Sequence, residues 1–488
     1  MTDDLIRREM SMIKDMGANF VRLAHYQQSR LVLDLCDELG LLVWEEIPWS
    51  RGGLGGDLYK EQARNMLRAM IDQHKNHPSI IIWGLGNEND WPGDFQEFDK
   101  EKIREFVREL NTLAHQLDPS RKTAIRRCDF AKDIPDVYSP SIWAGWYRGR
   151  YTEYRGSLEQ AMGTVNHLLQ AEWGGDSHAR RHSEHPDELL ARAGDRRKLD
   201  PRELDFLLSG GQSAAAENGD WSETYICNLF DWHLKEQESM DWIAGTAQWI
   251  FKDFSTPLRP DNPIPRVNQK GLVERDLTPK EGYFVFQSYW SDKPMVHIYG
   301  HSWPIRWGEK EQPKMVKVYS NCSRVELFLN GESCGVRERN SQDFPSAGLR
   351  WMVRFGEGKN RLRAVGTKGG VEVVDNLEVG YQTQRWDAPA RLVLEALERE
   401  GDIVAIQAIA LDREGVLCLG ARNFVRFGIV GDGRLLDNLG TSTGSRKIQL
   451  YNGRAIIRVK LNDGDSVVSV SSGGIPTAFL TLTQRTST

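Results

Sequence analysis

Apolar positions along the first 290 or so residues follow two alternating rhythms. Leu5, Ile6, Met10, Ile13 and Met16 recur at helical spacing behind Asp3 and Asp4, either of which can cap the helix, and Gly17 stops it. Asn19 to Ala24 then reads as a short strand ending in His25 and Tyr26. The spacing predicts a helix over Arg30 to Leu39, closed by Gly40, and a strand over Leu41 to Trp44 that ends in Glu45 and Glu46. A helix from Asp57 to His74 leads to the run Ile80-Ile81-Ile82-Trp83-Gly84-Leu85-Gly86-Asn87-Glu88. The alternation continues with a helix from Phe95 to Leu117, strands over Lys122 to Arg127 and Asp136 to Trp143, a short helix near Leu158 to Met162, and a strand running into Glu172. A helix from Glu217 to Lys235, a last strand over Ile243 to Phe251 and a closing helix from Pro279 to Trp290 complete it. Strands alternating with helices imply parallel βαβ units, here an α/β barrel of the TIM type over residues 1–294.

From Met295 the period changes to short alternating strands with Gly and Asn turns. Val316 to Ser320 and Val325 to Leu329 are examples, and Asn330-Gly331 is a strong hairpin signal. Residues 295–383 read as one β-sandwich, Gln384 to Pro389 as a linker, and residues 391–488 as a second β-sandwich.

Composition narrows the partners. A net charge of −6 lacks the clustered basic excess of a nucleic-acid surface. No run approaches the ~18 apolar residues of a membrane span, and mean hydropathy is −0.52, so a soluble chain is expected. Met1-Thr2-Asp3-Asp4 opens straight into an amphipathic helix with no secretory leader visible. Six scattered cysteines without a CxxC pair read as free thiols and leave the compartment open. Sixteen tryptophans serve either core packing or stacking on sugar rings.

The chemistry-bearing stretch is the β-branched run that delivers Asn87-Glu88. Its two glycines free the backbone to turn and place Glu88 at a strand's carboxyl end, where a carboxylate is either a general acid/base or part of an ion-pair network. His167-Leu168-Leu169-Gln170-Ala171-Glu172-Trp173-Gly174-Gly175 repeats that grammar. Two strand-end glutamates are what glycoside hydrolysis requires, one to protonate the leaving oxygen and one to attack the anomeric carbon or activate water.

Five ordered segments then carry a resemblance: Gly17 to Tyr26, Leu33 to Leu41, Trp83 to Glu88, Gln170 to Gly174 and Lys270 to Asp276. Together they resemble glycoside hydrolase family 2, whose members include β-galactosidases, β-glucuronidases and β-mannosidases. Val325 to Gly331 looks like the immunoglobulin-like module that often follows the barrel in that family.

The resemblance implies a retaining double displacement, with Glu88 as general acid/base and Glu172 as nucleophile, their carboxyls ~5–5.5 Å apart. It implies a raised pKa for Glu88 in the free enzyme and a hydrogen bond from Asn87 to the sugar 2-hydroxyl. His25 and Trp249 match positions lining the sugar subsite, although Trp249 alone reads equally as core. The family's tyrosine that bonds the nucleophile falls at Trp143, with Tyr147 as the other candidate.

The resemblance begins at the barrel's first helix, so the first strand and the usual N-terminal domains are absent; either the chain is a fragment, or a homo-oligomer or a partner chain supplies that strand. Asn268 and Lys270 fit an Asn-x-Lys pattern that β-glucuronidases use to grip a uronic carboxylate. His178 and His182 have helical spacing but lack a third metal ligand in register, and read as a solvated or anion-contacting loop; Glu45 and Glu46 lack further ligands after Ile47. No metal and no organic cofactor are expected. The reading is a retaining exo-β-glycosidase acting on oligosaccharide β-glycosides, a β-galactosidase first. The alternatives are a β-glucuronidase gripping its substrate with Asn268 and Lys270, or a non-catalytic carbohydrate-binding chain.

Overall fold

The computed structural model describes residues 2–95, 98–188, 214–436 and 447–483. Helix α1 (Asp3–Asp15) is capped by Thr2, whose hydroxyl accepts from the Leu5 amide at 3.3 Å, one residue before the expected aspartates. It packs on α2 (Arg30–Leu39), which ends at Gly40 in the left-handed conformation. Five parallel strands follow in sequential order: β1 (Phe20–Leu23), β2 (Leu42–Glu46), β3 (Ile80–Asn87), β4 (Lys122–Arg126) and β5 (Val137–Ser139). Helices α3 (Asp57–His74), α4 (Lys100–Leu117) and α5 (Tyr154–Met162) lie between or after them.

A bridge from Tyr138 to Leu168 extends the wall to β6 (Leu169–Gln170), which pairs in parallel with β7 (Gly245–Thr246). Helices α6 (Glu223–Gln237) and α7 (Glu281–Trp290) pack together outside. Trp44, Ile82, Ala124, Val137, Leu169 and Ala171 fill the interior, so the barrel is packed rather than hollow. Among the described residues β1 and β7 are not paired with one another. A cavity of about 220 Å³ lies between them, lined by Met10 and Ile13 of α1, Val21 and Leu23 of β1, and Trp249 and Phe251.

The hydrophobic alternation beyond residue 295 forms sheets on which inward positions face a shared core. Strands Val296–Ile298, Lys314–Ser320 and Arg350–Val353 make one sheet. It faces a five-stranded sheet that includes Arg324–Leu329, Gly358–Lys368 and Val371–Gln382, across Ile298, Val318, Trp351, Leu327, Ala364 and Val379. Asn330 and Gly331 both take positive φ, 54° and 92°, as a two-residue hairpin turn demands. Two further four-stranded sheets enclose a separate core around Ile406, Val425, Ile457 and Val470.

No helix among the described residues is long and apolar enough to cross a membrane. The segment around His178 and His182 is not a solvated loop. Both rings are buried: His178 bonds the Gln449 carbonyl at 2.7 Å and Gln269 at 3.0 Å, and His182 bonds Tyr299 at 2.7 Å and Ser302 at 2.8 Å. Those partners come from the barrel side and from both sandwiches, so the segment is a polar plug at their junction. Burial pushes the His182 pKa down to about 3 and keeps the ring neutral.

Candidate active site

Each barrel strand delivers its polar residue at its carboxyl end. Arg22 leaves β1, Glu46 ends β2, Asn87 ends β3 with Glu88 next, Arg126 ends β4, and Glu172 lies two residues past β6. The positive φ expected of a glycine in this stretch falls on Glu88 itself, at 55°. Its amide donates to the Arg126 carbonyl at 2.9 Å, and Trp91 N–H returns to the Glu88 carbonyl at 3.0 Å. Gly84 and Gly86 serve by having no side chain. A Cβ on Gly84 would lie 2.3 Å from the Cβ of Glu46 and from the indole nitrogen of Trp44, and one on Gly86 would lie 2.3 Å from the Asn89 amide oxygen.

The two glutamates converge on one guanidinium. Arg126, fully buried, gives Nη1 to Glu88 Oε1 at 2.6 Å and Nη2 to Glu172 Oε2 at 3.0 Å. The opposite oxygen of Glu172 takes Arg22 Nη1 at 2.7 Å, with His25 Nε2 4.0 Å away. Arg22 also forks onto Glu46 with two contacts of 2.9 Å and donates to Asn87 Oδ1 at 3.0 Å. His25 Nδ1 sits 2.7 Å from Glu46, and its ring stacks on Trp249 with centroids 4.9 Å apart. The structure thus brings His25, Asn87, Glu88, Glu172 and Trp249 together. Glu46 is engaged by Arg22 and His25, and Glu45 by His74 and the Gln28 amide.

Two expectations about Glu88 and Glu172 need correction. Burial alone would raise the Glu88 pKa, but Arg126 and Arg127, the latter at 3.3 Å, outweigh it and hold the carboxyl below its ordinary value. Among the described residues neither Trp143 nor Tyr147 donates to Glu172; the two arginines occupy its oxygens.

Trp143 and Tyr147 instead wall a second cluster. Lys270 Nζ pairs with Asp176 and lies 5.7 Å from the Trp143 ring, 5.7 Å from Trp146 and 5.1 Å from Tyr147. Burial would lower the Lys270 pKa; Asp176 and Tyr147 reverse this, so the ammonium stays charged. Asn268 accepts from the Lys270 amide at 3.2 Å, and Arg259 donates to the Tyr147 hydroxyl at 2.6 Å. The clusters join through one loop: Ser141 accepts from Arg126 at 3.1 Å, and Gln170 bonds the carbonyls of Ile142 at 3.0 Å and Glu172 at 2.7 Å.

Sequence reasoning missed Arg126, Asp176 and Arg259. The one signal Arg126 offered was its place at a barrel strand's end, which any solvated basic strand end shares.

Residues 1–185 match the model for glycosyl hydrolases family 2, TIM barrel domain. The chain belongs to glycoside hydrolase family 2. Residues 311–374 match a domain of unknown function, DUF4982. The chain is 48% identical over 463 residues to a putative β-glucuronidase of Formosa agariphila, covering 94% of this chain and 56% of that protein. Among solved structures it resembles a β-glucuronidase of Parabacteroides merdae, at 61% identity and a TM-score of 0.94, covering 99% of this chain and 61% of the other. It also resembles β-glucuronidase 3 of Bacteroides uniformis, at 56% identity and a TM-score of 0.92, covering 99% and 60%. The chain therefore spans little more than half the length of these relatives. Relatives at 48–61% identity named β-glucuronidase overturn the β-galactosidase reading, which discounted the Asn268-x-Lys270 pattern because galactosidase-like members of the family also carry a lysine before the Gly-Leu-Val segment.

Proposed function

We propose that this family 2 barrel hydrolyses β-glucuronides with retention of configuration. The observation that carries the reading is the shared guanidinium, Arg126, with one carboxylate on each of its two terminal nitrogens. In this reading Glu172, contacted by Arg22 and Arg126, attacks the anomeric carbon while Glu88 protonates the departing oxygen. The glycosyl ester neutralises Glu172, and Glu88 then takes a proton from the water that releases the sugar. Asn87, fixed by Arg22, is placed to bond the 2-hydroxyl. His25 and Trp249 form the sugar-facing wall, and Lys270 with Asn268 meets the uronic carboxylate. The names and identities of the relatives above support the choice of sugar.

The test is turnover of nitrophenyl β-glucuronide, β-galactoside and β-glucoside by the full chain, with Glu172→Gln beside it. Turnover of the glucuronide far above that of the other two sugars is expected, with covalent trapping by a 2-fluoro glucuronide lost in the variant. Equal turnover of the three sugars would sink the proposed specificity, and trapping that survives Glu172→Gln would sink the nucleophile.

A further inference from the structure

We propose that His297, His301 and Asp375 form a binding site for a divalent transition metal of the zinc class, where the barrel's last helix meets the first sandwich. One ligand atom from each of the three lies within 4.8 Å of the other two. His297 is on the strand Val296–Ile298, Asp375 is on the strand Val371–Gln382, and His301 is in the turn after Ile298. Two of these ligands are already held in place. The carboxylate of Glu281, the first residue of α7, sits 2.9 Å from His297 Nε2 and accepts its N–H, which leaves Nδ1 with the lone pair. A carboxylate behind an imidazole is the arrangement that orients a metal-binding histidine. Phe284 stacks on the His297 ring with centroids 3.7 Å apart and fixes its plane. Asp375 Oδ2 is anchored by the Ile298 amide at 2.7 Å.

His301 is the movable ligand, with its side chain 41% exposed and Nε2 2.8 Å from Asp375 Oδ2. Two donor atoms at that separation subtend close to a right angle at an ion ~2.0–2.1 Å from each. The ion displaces the proton that His301 and Asp375 share, which passes to solvent, and a turn of the exposed His301 ring, which stacks on His297 with centroids 4.8 Å apart, carries the ion to the fixed His297. Water completes the coordination on the open side. Two imidazoles and one carboxylate suit zinc or its neighbours rather than magnesium or calcium, which prefer all-oxygen sites. A bound ion would link the two facing sheets of the sandwich and, through Glu281, α7 of the barrel.

The full chain, treated with EDTA and dialysed, is titrated calorimetrically with zinc chloride, and thermal midpoints are measured in parallel. Wild type should bind one saturating zinc and unfold at a higher temperature with the ion. His301→Ala and Asp375→Asn should each bind at least about tenfold more weakly and lose the thermal shift. His301 is exposed and Asp375→Asn is nearly isosteric, so both variants should fold. Absence of saturable binding in wild type overturns the site. So does binding that survives undiminished in both variants, since that would assign the ion to thiols or to other histidines.

Discussion

Around Glu88 and Glu172, strand-end arginines are shared between acids: Arg126 serves both glutamates, and Arg22 serves Glu46, Asn87 and Glu172. Around Lys270, one ammonium pairs with one carboxylate, Asp176, behind three aromatic rings. The first cluster spreads charge over several groups, so one acid can change protonation while the rest stay compensated. The second holds a closed pair, and in the proposed function the uronic carboxylate has to approach it beside Asp176, with Arg259 as the nearby second cation. Chemistry that moves a proton suits the first arrangement, and recognition of a fixed anion suits the second.

The largest effect expected of breaking this contrast is at Glu88. Glu88→Ala should lower turnover of a phenyl β-glucuronide by ~10²–10⁴-fold, the usual worth of a general acid. A dinitrophenyl leaving group, which needs no proton, should restore most of the rate. An equal loss on both substrates would remove Glu88 from the protonation step.

Arg126→Met tests the sharing directly. It leaves Glu88 and Glu172 facing each other with their common cation gone, and breaking a buried pair by removing one partner costs ~3–5 kcal/mol. A urea titration should show that loss as a fall in midpoint at unchanged slope. An unchanged midpoint would mean that the two acids reorganise without Arg126, and the cluster would not be the rigid unit described above.

Lys270→Gln probes the second cluster. A hydrogen bond to a charged group is worth ~1.5–3 kcal/mol, so kcat/KM for the glucuronide should fall by ~10–10²-fold while the weak rate on the glucoside stays level. A parallel fall on both sugars would make Lys270 a structural cation of Asp176 alone.

The same contrast explains what could be read from the chain. The cluster proposed as catalytic is made of strand ends, and apolar runs such as Ile80 to Trp83 mark where a strand stops, so Glu88 and Glu172 stand out without a structure. Arg126 escaped because an arginine closing a strand looks like any solvated basic end until its neighbours are known. Asp176 and Arg259 lie on loops, where no periodicity orders the chain and partners are set by tertiary approach. The His178 segment misled for a related reason: Arg181 and His182 look solvated by composition, yet Leu450 and Tyr299 from distant elements help bury them, and half-buried Arg180 pairs with Glu274. The His297, His301 and Asp375 group was equally invisible, since 74 residues separate His301 from Asp375.

The smallest effect concerns pH and turns on Arg127. Burial pushes the Glu88 pKa up, while Arg126 and then Arg127 pull it below the ordinary glutamate value, with the arginines prevailing. A depressed carboxyl stabilises the fold at pH above its unfolded pKa of ~4.3, and that contribution is lost as pH falls through the folded value. As a general acid, Glu88 works only while protonated, so kcat/KM should decline as pH rises along the alkaline limb. Arg127→Gln removes one of the two cations and leaves Arg126 in place, so the Glu88 pKa should rise and the limb should move to higher pH. Arg259→Gln, in the other cluster, should leave the limb where it is. A limb that ignores Arg127, or one that moves equally with Arg259, would show that the two clusters titrate as one and would erase the contrast between them.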